Sequence, residues 1–424
     1  MATDPPSTVR HQSLDVLRGV AILGTLATNI WIFTNPEGLI GYLADSTAAA
    51  TPPVWAAVEA ILRQLAQGKF LGLLTLLFGI GLEIQRRSAI RAGRRWPGRY
   101  PWRAGLLLLD GILHFLLVAE FDVLMGYAIT GMVVAYLLAT SERAQRGWLI
   151  VAATIHVLVL TLVTIALLAV PAGPAAEPLD PNPYPDGSFG DLVSFRLENV
   201  VPFRIEPVFI GALSVAMFLA GAWLVRHGVL EAAGHRLRRR LVIIGAAAFA
   251  LDLALGLGGR HLFPGAGGAA AGIILGRYGT APLVAPGLLA VVSAIVLDRP
   301  RSGFGRRRLS DVGRMALSCY IAQNLLASAI CYGWGFGLAG RLAPEARVPA
   351  TIAVYALVAV LITAFAALWL RRFRRGPIEL GWLWCFDRLD RAIPSRHTPG
   401  GTGRQPKSIL AGTKGGVVGG DDRG

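Results

Sequence analysis

Ten apolar runs separated by short polar loops dominate this sequence, and each is long enough to cross about 30 Å of hydrocarbon. Only 16% of the 424 residues are charged and the mean hydropathy is +0.54, whereas about 25% of the residues in soluble proteins are charged. A helix in a bilayer satisfies its own backbone groups. The sequence therefore predicts an all-α fold, a polytopic membrane helix bundle of about ten transmembrane helices. The runs occupy about residues 14–34, 54–84, 102–118, 123–139, 148–171, 205–225, 241–258, 281–297, 312–332 and 349–370.

The nine loops between these runs, together with the segment after the tenth run, alternate in arginine content. Five of them hold 24 arginines together, and the five intervening loops hold six. Positively charged loops stay on the cytoplasmic side, and such clusters suit anionic lipid headgroups better than nucleic acid. We therefore expect a multi-pass protein of the cell membrane with both termini cytoplasmic, with the lipid bilayer as partner and no nucleic acid. The arginine-rich loops are residues 86–103, 140–147, 226–240, 298–314 and 371–375.

The chain divides into one transmembrane domain, residues 14–390, and two polar ends. Residues 1–13 and 391–424 have the composition of disordered cytoplasmic segments. The longest outer loop, residues 172–204, is rich in proline and acidic residues, so we expect a solvated connector, with a lid over the site as the alternative. The segment Gly265–Thr280 is too broken by glycine to predict a full span, and we expect a half-helix or re-entrant piece.

The densest titratable chemistry lies in one apolar hairpin, Arg103–Met132, which contains Asp110, His114, Glu120 and Asp122. An Asp at a helix centre costs about 2.5–3.5 kcal/mol to insert, so such residues indicate a functional site. A neutral imidazole can take a proton near neutral pH, which makes His114 the candidate base. Asp110, one turn earlier, or Asp122 would orient its ring, and Glu120 would contact substrate. The alternatives are hydrogen bonds between helices and, for Asp122, a helix N-cap.

Two further spans carry polar faces. In the first, Asp15 and Arg18 are three positions apart and can form a pair, and Asn29 lies on the same face. In the ninth, Tyr320, Gln323 and Asn324 form an amide-rich face that could bind a substrate carbonyl. The alternatives are a snorkelling Arg with a capping Asp in the first case, and hydrogen bonds between helices in the second. We predict both faces as substrate-binding.

Arg371, Arg372 and Arg374 follow the tenth span in a run of four arginines. Positive-inside anchoring explains such a cluster, and binding of CoA phosphates is the sharper hypothesis. The three cysteines lie in or beside apolar segments without metal-ligand spacing, so we expect no metal site.

Several motifs resemble those of the YeiB-like family of bacterial multi-span membrane proteins. The resemblance covers about residues 10–390, and its second closing signature adds Glu379 to the predicted substrate-binding residues. The matching blocks are Ser13–Asn29, Lys69-Phe70 with the run after it, Gly111–His114 with Asp122 and Tyr127-Ala128, Gly313–Gln323, and Gly376–Glu379 followed by Leu383-Trp384.

That family is a domain of unknown function grouped by remote similarity with transmembrane acyltransferases, including the acyltransferase type 3 proteins, OpgC-like proteins and the lysosomal heparan glucosaminide acetyltransferase. The resemblance implies transfer of an acyl group from cytoplasmic acyl-CoA, a donor substrate and not a bound cofactor, to a small-molecule, glycan or lipid acceptor outside. One departure is that residues 34–53 contain no histidine where the acetyltransferase has its active one. A transporter or lipid flippase, and a non-catalytic membrane protein, are the alternatives.

Overall fold

The computed structural model describes residues 7–169, 178–263, 265, 267–298 and 303–392, and helices account for the regular structure of these residues. The predicted disorder of the two chain ends falls mostly outside these ranges. The helices are α1 (Ser7–Phe33), α2 (Gly38–Ala44), α3 (Pro53–Ala66), α4 (Lys69–Arg91), α5 (Tyr100–Leu117), α6 (Leu124–Leu137), α7 (Glu142–Ala169), α8 (Phe189–Glu198), α9 (Val200–Phe209), α10 (Gly211–Arg226), α11 (His235–Leu262), α12 (Gly268–Leu275), α13 (Ala281–Asp298), α14 (Phe304–Arg314), α15 (Ala316–Cys331), α16 (Leu338–Arg341), α17 (Pro344–Trp369) and α18 (Pro377–Ala392).

Six helical stretches in the described residues are long and apolar enough to cross a membrane, and α9 with α10, bent by 45°, makes a seventh. The all-α prediction is therefore confirmed, and the helices are those of a multi-pass membrane protein. Three predicted spans coincide with α5, α6 and α15, which have 18, 14 and 16 residues. At 1.5 Å per residue these are about 27, 21 and 24 Å long, less than the hydrocarbon thickness. The count of ten spans stays a prediction.

Helix α1 lies at the centre of the bundle and packs against α4, α13, α14, α15 and α17. Leu17, Leu26 and Phe33 along it are fully buried. Its crossing with α14 is close because Gly19 and Gly313 lack side chains: a Cβ on Gly313 would lie 1.7 Å from the Asp15 carbonyl oxygen. Small residues at such crossings let helix backbones approach in lipid. The first span thus holds the bundle together and brings its own polar face inside.

The candidate spans in α7 and α11 form the periphery of the bundle. Within an apolar 18-residue window of each, only 22% and 17% of the residues are buried, against 67% in the first span. Their exposed residues are mostly aliphatic, for example Ile155, Leu158 and Leu162 on α7. These faces are suited to contact with lipid tails.

The expected break at Gly265–Thr280 is wrong for the part from Gly268 onward. Helix α12 continues through a π-helical turn, Gly276–Thr280, into α13, and the stretch Gly268–Asp298 is one candidate span. The small residues that lower helix propensity here let α12 pack closely against α7 and α11. Packing therefore outweighs propensity in this segment.

The expected solvated connector is also wrong where residues 172–204 are described, from residue 178 onward. Residues 178–204, which we call the cap segment, fold over the α5–α6 turn and include α8 and the start of α9. Tyr184 and Arg196 of this segment are almost fully buried. The cause is the Glu120 carboxylate, which both side chains bind.

Candidate functional site

The α5–α6 turn places a carboxylate against the predicted base. Gly111 makes the turn tight, because a Cβ there would lie 2.5 Å from the Met125 backbone nitrogen. Asp122 accepts a hydrogen bond from that nitrogen through Oδ2 (2.9 Å), so it caps α6. Its Oδ1 lies 3.1 Å from Nδ1 of His114, in contact but not aligned as a hydrogen bond. Asp122 thus binds the first turn of α6, next to the N-cap residue Val123, and contacts His114.

The opposite ring nitrogen of His114 faces α15. Nε2 lies 3.1 Å from Nδ2 of Asn324, and Asn29 Nδ2 donates to Oδ1 of Asn324 at 3.4 Å. The ring of Tyr320 stacks on the imidazole, with centroids 5.0 Å apart and planes inclined by 27°. We call Asn29, His114, Asp122, Tyr320 and Asn324 the His114 cluster. It joins residues predicted separately on α1, the α5–α6 hairpin and α15.

Asp110 does not join this cluster. Its carboxylate instead accepts a hydrogen bond from Nε1 of Trp382 on α18, at 2.5 Å. Side chains four positions apart share a helix face, but that spacing does not decide which neighbour each one meets. The structure brings Asp122, and not Asp110, to His114.

A cavity of about 120 Å³, the turn-side cavity, adjoins the cluster near the α5–α6 turn. Asn29, Asp122 and Tyr320 of the cluster line it. His114 itself has no exposed surface and does not line the cavity. The other walls of the turn-side cavity are mostly apolar or aromatic and include Leu39, Leu43, Leu71, Phe121, Phe203, Pro207, Ile210, Leu213 and Met217.

A second cavity, the α18-side cavity, has a volume of about 370 Å³. Three arginines line it, Arg18, Arg103 and Arg375, together with apolar residues such as Leu74 and Phe78. Tyr320 lines both cavities. The two chambers therefore meet at one aromatic side chain, which stacks on His114.

Glu379 and Gln323 act mainly in holding helices. Glu379 Oε1 accepts hydrogen bonds from the backbone nitrogens of Leu317 (2.9 Å) and Ser318 (3.2 Å), and Oε2 accepts one from the Ser318 hydroxyl. It thereby caps α15 from α18 while lining the α18-side cavity. Gln323 is buried and donates to the Thr25 hydroxyl at 3.4 Å.

Glu120 is buried under the cap segment and lines neither cavity described above. It accepts hydrogen bonds from Tyr184 Oη (2.9 Å) and Arg196 Nε (3.3 Å). Burial beside this carboxylate holds the pKa of the Tyr184 hydroxyl well above its usual value, so Tyr184 stays a donor. Arg196 also binds the carbonyl oxygens of Leu116 and Val118 at the end of α5.

The predicted cation cluster lies apart from the cavities. Arg371, Arg372 and Arg374 are exposed and line neither of them, whereas Arg375 lines the α18-side cavity. Arg18 pairs with Asp15 at 3.4 Å, as their spacing predicts, and also lines that cavity.

The turn-side cavity is also lined by four residues outside the predicted site: Arg204, Glu206, Arg277 and Tyr278. Glu206 Oε1 accepts hydrogen bonds from Arg277 Nη2 (2.6 Å) and Tyr278 Oη (2.7 Å). Arg204 binds the backbone carbonyl oxygens of Glu120 and Asp122. Arg204 and Arg277 could have been suspected from the sequence, because they are two of only six arginines in the predicted outer loops.

A second buried polar cluster lies within the bundle between α4 and α11. Lys69 Nζ is 2.5 Å from Oδ2 of Asp252, and both side chains are almost completely buried. Asp252 also accepts hydrogen bonds from Gln64 Nε2 (2.7 Å) and Thr280 Oγ1 (2.9 Å). Lys69 additionally donates to the carbonyl oxygens of Gln64 and Gln67. The pair is fully hydrogen-bonded, as a buried ion pair requires.

Comparison with known proteins extends the sequence resemblance. The family described as "Protein of unknown function (DUF418)" matches residues 224–386. The uncharacterized protein YeiB of Escherichia coli is 31% identical over 392 residues, covering 88% of this chain and 95% of YeiB. This chain belongs to the DUF418 family. The uncharacterized protein YxaH of Bacillus subtilis is 29% identical over 401 residues, covering 88% of this chain and 92% of YxaH. Likeness therefore extends over nearly the whole bundle.

Proposed function

We propose that this DUF418 protein is a membrane-embedded acyltransferase that moves an acyl group from cytoplasmic acyl-CoA to an acceptor on the other side. One observation carries the proposal: two cavities meet at Tyr320, and Tyr320 stacks on a histidine paired with a carboxylate. The resemblance to transmembrane acyltransferases agrees with it, as an argument by analogy. The predicted sidedness places the α18-side cavity toward the cytoplasm.

The α18-side cavity suits the donor. Its arginines, Arg18, Arg103 and Arg375, can bind the phosphates of CoA, for which guanidinium groups are well shaped. The apolar wall with Leu74 and Phe78 suits an acyl-pantetheine arm. Arg371, Arg372 and Arg374 at the same end of the bundle add positive charge outside the cavity.

The chemistry begins with His114 Nε2. It takes the proton of an acceptor hydroxyl as the oxygen attacks the thioester carbonyl carbon, and Asp122 stabilises the imidazolium that forms. When the carbon–sulfur bond breaks, the CoA thiolate takes that proton, which leaves an ester, free CoA and a neutral histidine. Because Asn324 occupies Nε2 at 3.1 Å, the acceptor must displace its amide. Asn29, already bonded to Asn324, is placed to hold the displaced side chain.

The runner-up function is transport. Two cavities that share Tyr320 as a lining residue also suit a substrate path through the bundle, and the buried Lys69–Asp252 pair is of a kind found in transporters. Transport requires no bond to break in acyl-CoA, so the two functions make different predictions for one experiment.

The experiment uses the full chain in lipid nanodiscs with acetyl-CoA labelled on its acetyl group. We expect release of free CoA thiol, and label in an acceptor when cell extracts are supplied as acceptor pools. Empty nanodiscs measure the background hydrolysis. If no pool gives CoA release above that background, the acyltransferase proposal fails and transport takes its place.

A further inference from the structure

The turn-side cavity borders an exposed apolar surface along α2 and α9. Leu43 of α2 lines the cavity and is 69% exposed. On α9 one face carries Val201, Ile205 and Val208, which are 78%, 66% and 80% exposed, while Arg204 of the same helix lines the cavity. An exposed apolar patch of this size indicates a surface that contacts lipid or a partner protein. This apolar surface is therefore suited to a ligand that comes from the bilayer.

The polar end of this cavity carries a guanidinium without a carboxylate partner. Arg204 binds only backbone carbonyl oxygens, of Glu120 and Asp122, and its guanidinium lies 4.2 Å from the centre of the Phe115 ring. Within the described residues no carboxylate is in ion-pair contact with Arg204. The carboxylates of Asp122, Glu206 and Glu120 attract this guanidinium only at longer range.

The other charged groups of the lining are already engaged. Glu206 is shared by Arg277 and Tyr278, and the Asp122 carboxylate is turned to His114 and the α6 backbone. The Nε atoms of Arg204 and Arg277 are buried and have no hydrogen-bond partner in the part of the chain that the structure describes. Buried donors without partners indicate a missing water, ion or ligand. Both arginines line the turn-side cavity, so an anionic group there can reach guanidinium donors.

We propose that the turn-side cavity binds a lipid whose phosphate headgroup carries a net negative charge, and that this lipid enters between α2 and α9. Guanidinium groups bind phosphate oxygens strongly, and the apolar wall and rim suit the acyl chains of the lipid. A hydroxyl on that headgroup would lie beside Asp122 and Tyr320, so this lipid would be the acceptor. That last role rests on the proposed acyltransferase function, whereas the binding does not.

The binding test measures thermal unfolding of the detergent-purified full chain with added phosphatidylglycerol, phosphatidylcholine or glycerol phosphate. We expect a clear rise in Tm with phosphatidylglycerol and much smaller rises with the other two. Arg204→Gln should remove the difference between the lipids, and Arg341→Gln, at an exposed arginine outside both cavities, should keep it. Because Arg204 also supports the turn, Leu43→Glu serves as a second variant: it adds a negative charge at an exposed rim residue and should weaken the phosphatidylglycerol effect.

Three results would overturn the lipid site: equal stabilisation by both lipids, equal stabilisation by glycerol phosphate, or an unchanged phosphatidylglycerol effect in both cavity variants. The acceptor role has its own readout, label from acetyl-CoA in the extracted lipid. CoA release with label only in water-soluble products would overturn the lipid acceptor and keep the acyltransferase. A phosphatidylglycerol effect without CoA release would keep the lipid site and end the acyltransferase proposal.

Discussion

The ring of His114 has a different neighbour at each nitrogen, and this asymmetry defines its chemistry. Asp122 contacts Nδ1, while Asn324 at Nε2 presents a neutral amide that the substrate hydroxyl displaces in the proposed mechanism. A glutamine at this position would keep hydrogen-bonding capacity but could not accept a proton at neutral pH. The residue can therefore be tested without leaving a void.

We predict that His114→Gln lowers CoA release by at least about 100-fold, because general-base catalysis contributes about 10²–10⁴-fold. The matched control is His156→Gln, at another buried histidine, whose Nε2 lies 2.9 Å from the Tyr278 carbonyl oxygen. It should stay close to wild type. Size-exclusion profiles and Tm values of both variants verify folding. Full CoA release by a folded His114→Gln protein would remove His114 from the mechanism.

Individual site residues differ in how far the sequence reveals them. His114 and Asp122 can be predicted because polar residues are conspicuous in apolar runs and eight positions separate them. Asn324 can be placed on a polar face, but not beside His114, since 210 positions lie between them. Asp110 shows the opposite problem: its spacing allows contact with His114, yet Trp382 of α18 takes its carboxylate. Packing between helices that are far apart in sequence decides which of these side chains meet, and spacing along one helix cannot predict it.

The cap segment stabilises the α5–α6 turn through one buried arginine. Arg196 binds the last carbonyl groups of α5 and the Glu120 carboxylate together. Its composition suggested a solvated loop, because proline and acidic residues usually face water. The contrary signal was an arginine in a loop otherwise poor in them. A buried acid in the facing turn is what draws such a segment inward.

We predict that Arg196→Met destabilises the protein by about 3–5 kcal/mol, because it leaves the Glu120 carboxylate buried without its cation. Thermal unfolding in detergent measures the effect. The double variant Arg196→Met with Glu120→Leu should recover part of the loss, since it removes the stranded charge. Arg341→Met, at an exposed site, is the control. If the double variant is less stable than Arg196→Met alone, the Glu120 contact is not the source of the stability.

At the scale of the whole bundle, the order of the helices along the chain agrees with the prediction, whereas the lengths of some helices do not. All ten apolar runs coincide with helices. A segment that crosses a bilayer must satisfy its backbone hydrogen bonds internally, and a helix does so. Helices α6 and α15, with 14 and 16 residues, are nevertheless short for a crossing. Composition cannot fix helix ends that are set by a capping residue such as Glu379 or Asp122.

We predict that single cysteines at Asp186 and Arg341 react with an impermeant thiol reagent in intact cells, and that a cysteine at Thr140 reacts only after permeabilisation. All three positions are exposed, and arginine content places the first two outside and the third inside. Cys385, the one native cysteine that is not buried, is first replaced by serine. Reaction at Arg341 only after permeabilisation would show that α15 does not cross.

The Lys69–Asp252 pair also sets an order of events during biosynthesis. Gln64, a neighbour of Lys69, precedes Asp252 by 188 positions. At roughly 5–20 residues per second, a ribosome therefore needs about 10–40 s to reach Asp252 after making this segment. During this interval the lysine of the nascent chain has the carbonyl oxygens of Gln64 and Gln67 from its own segment. Helix α11 then arrives with its acid. The contact between α4 and α11 therefore forms only after the chain has been synthesised as far as α11.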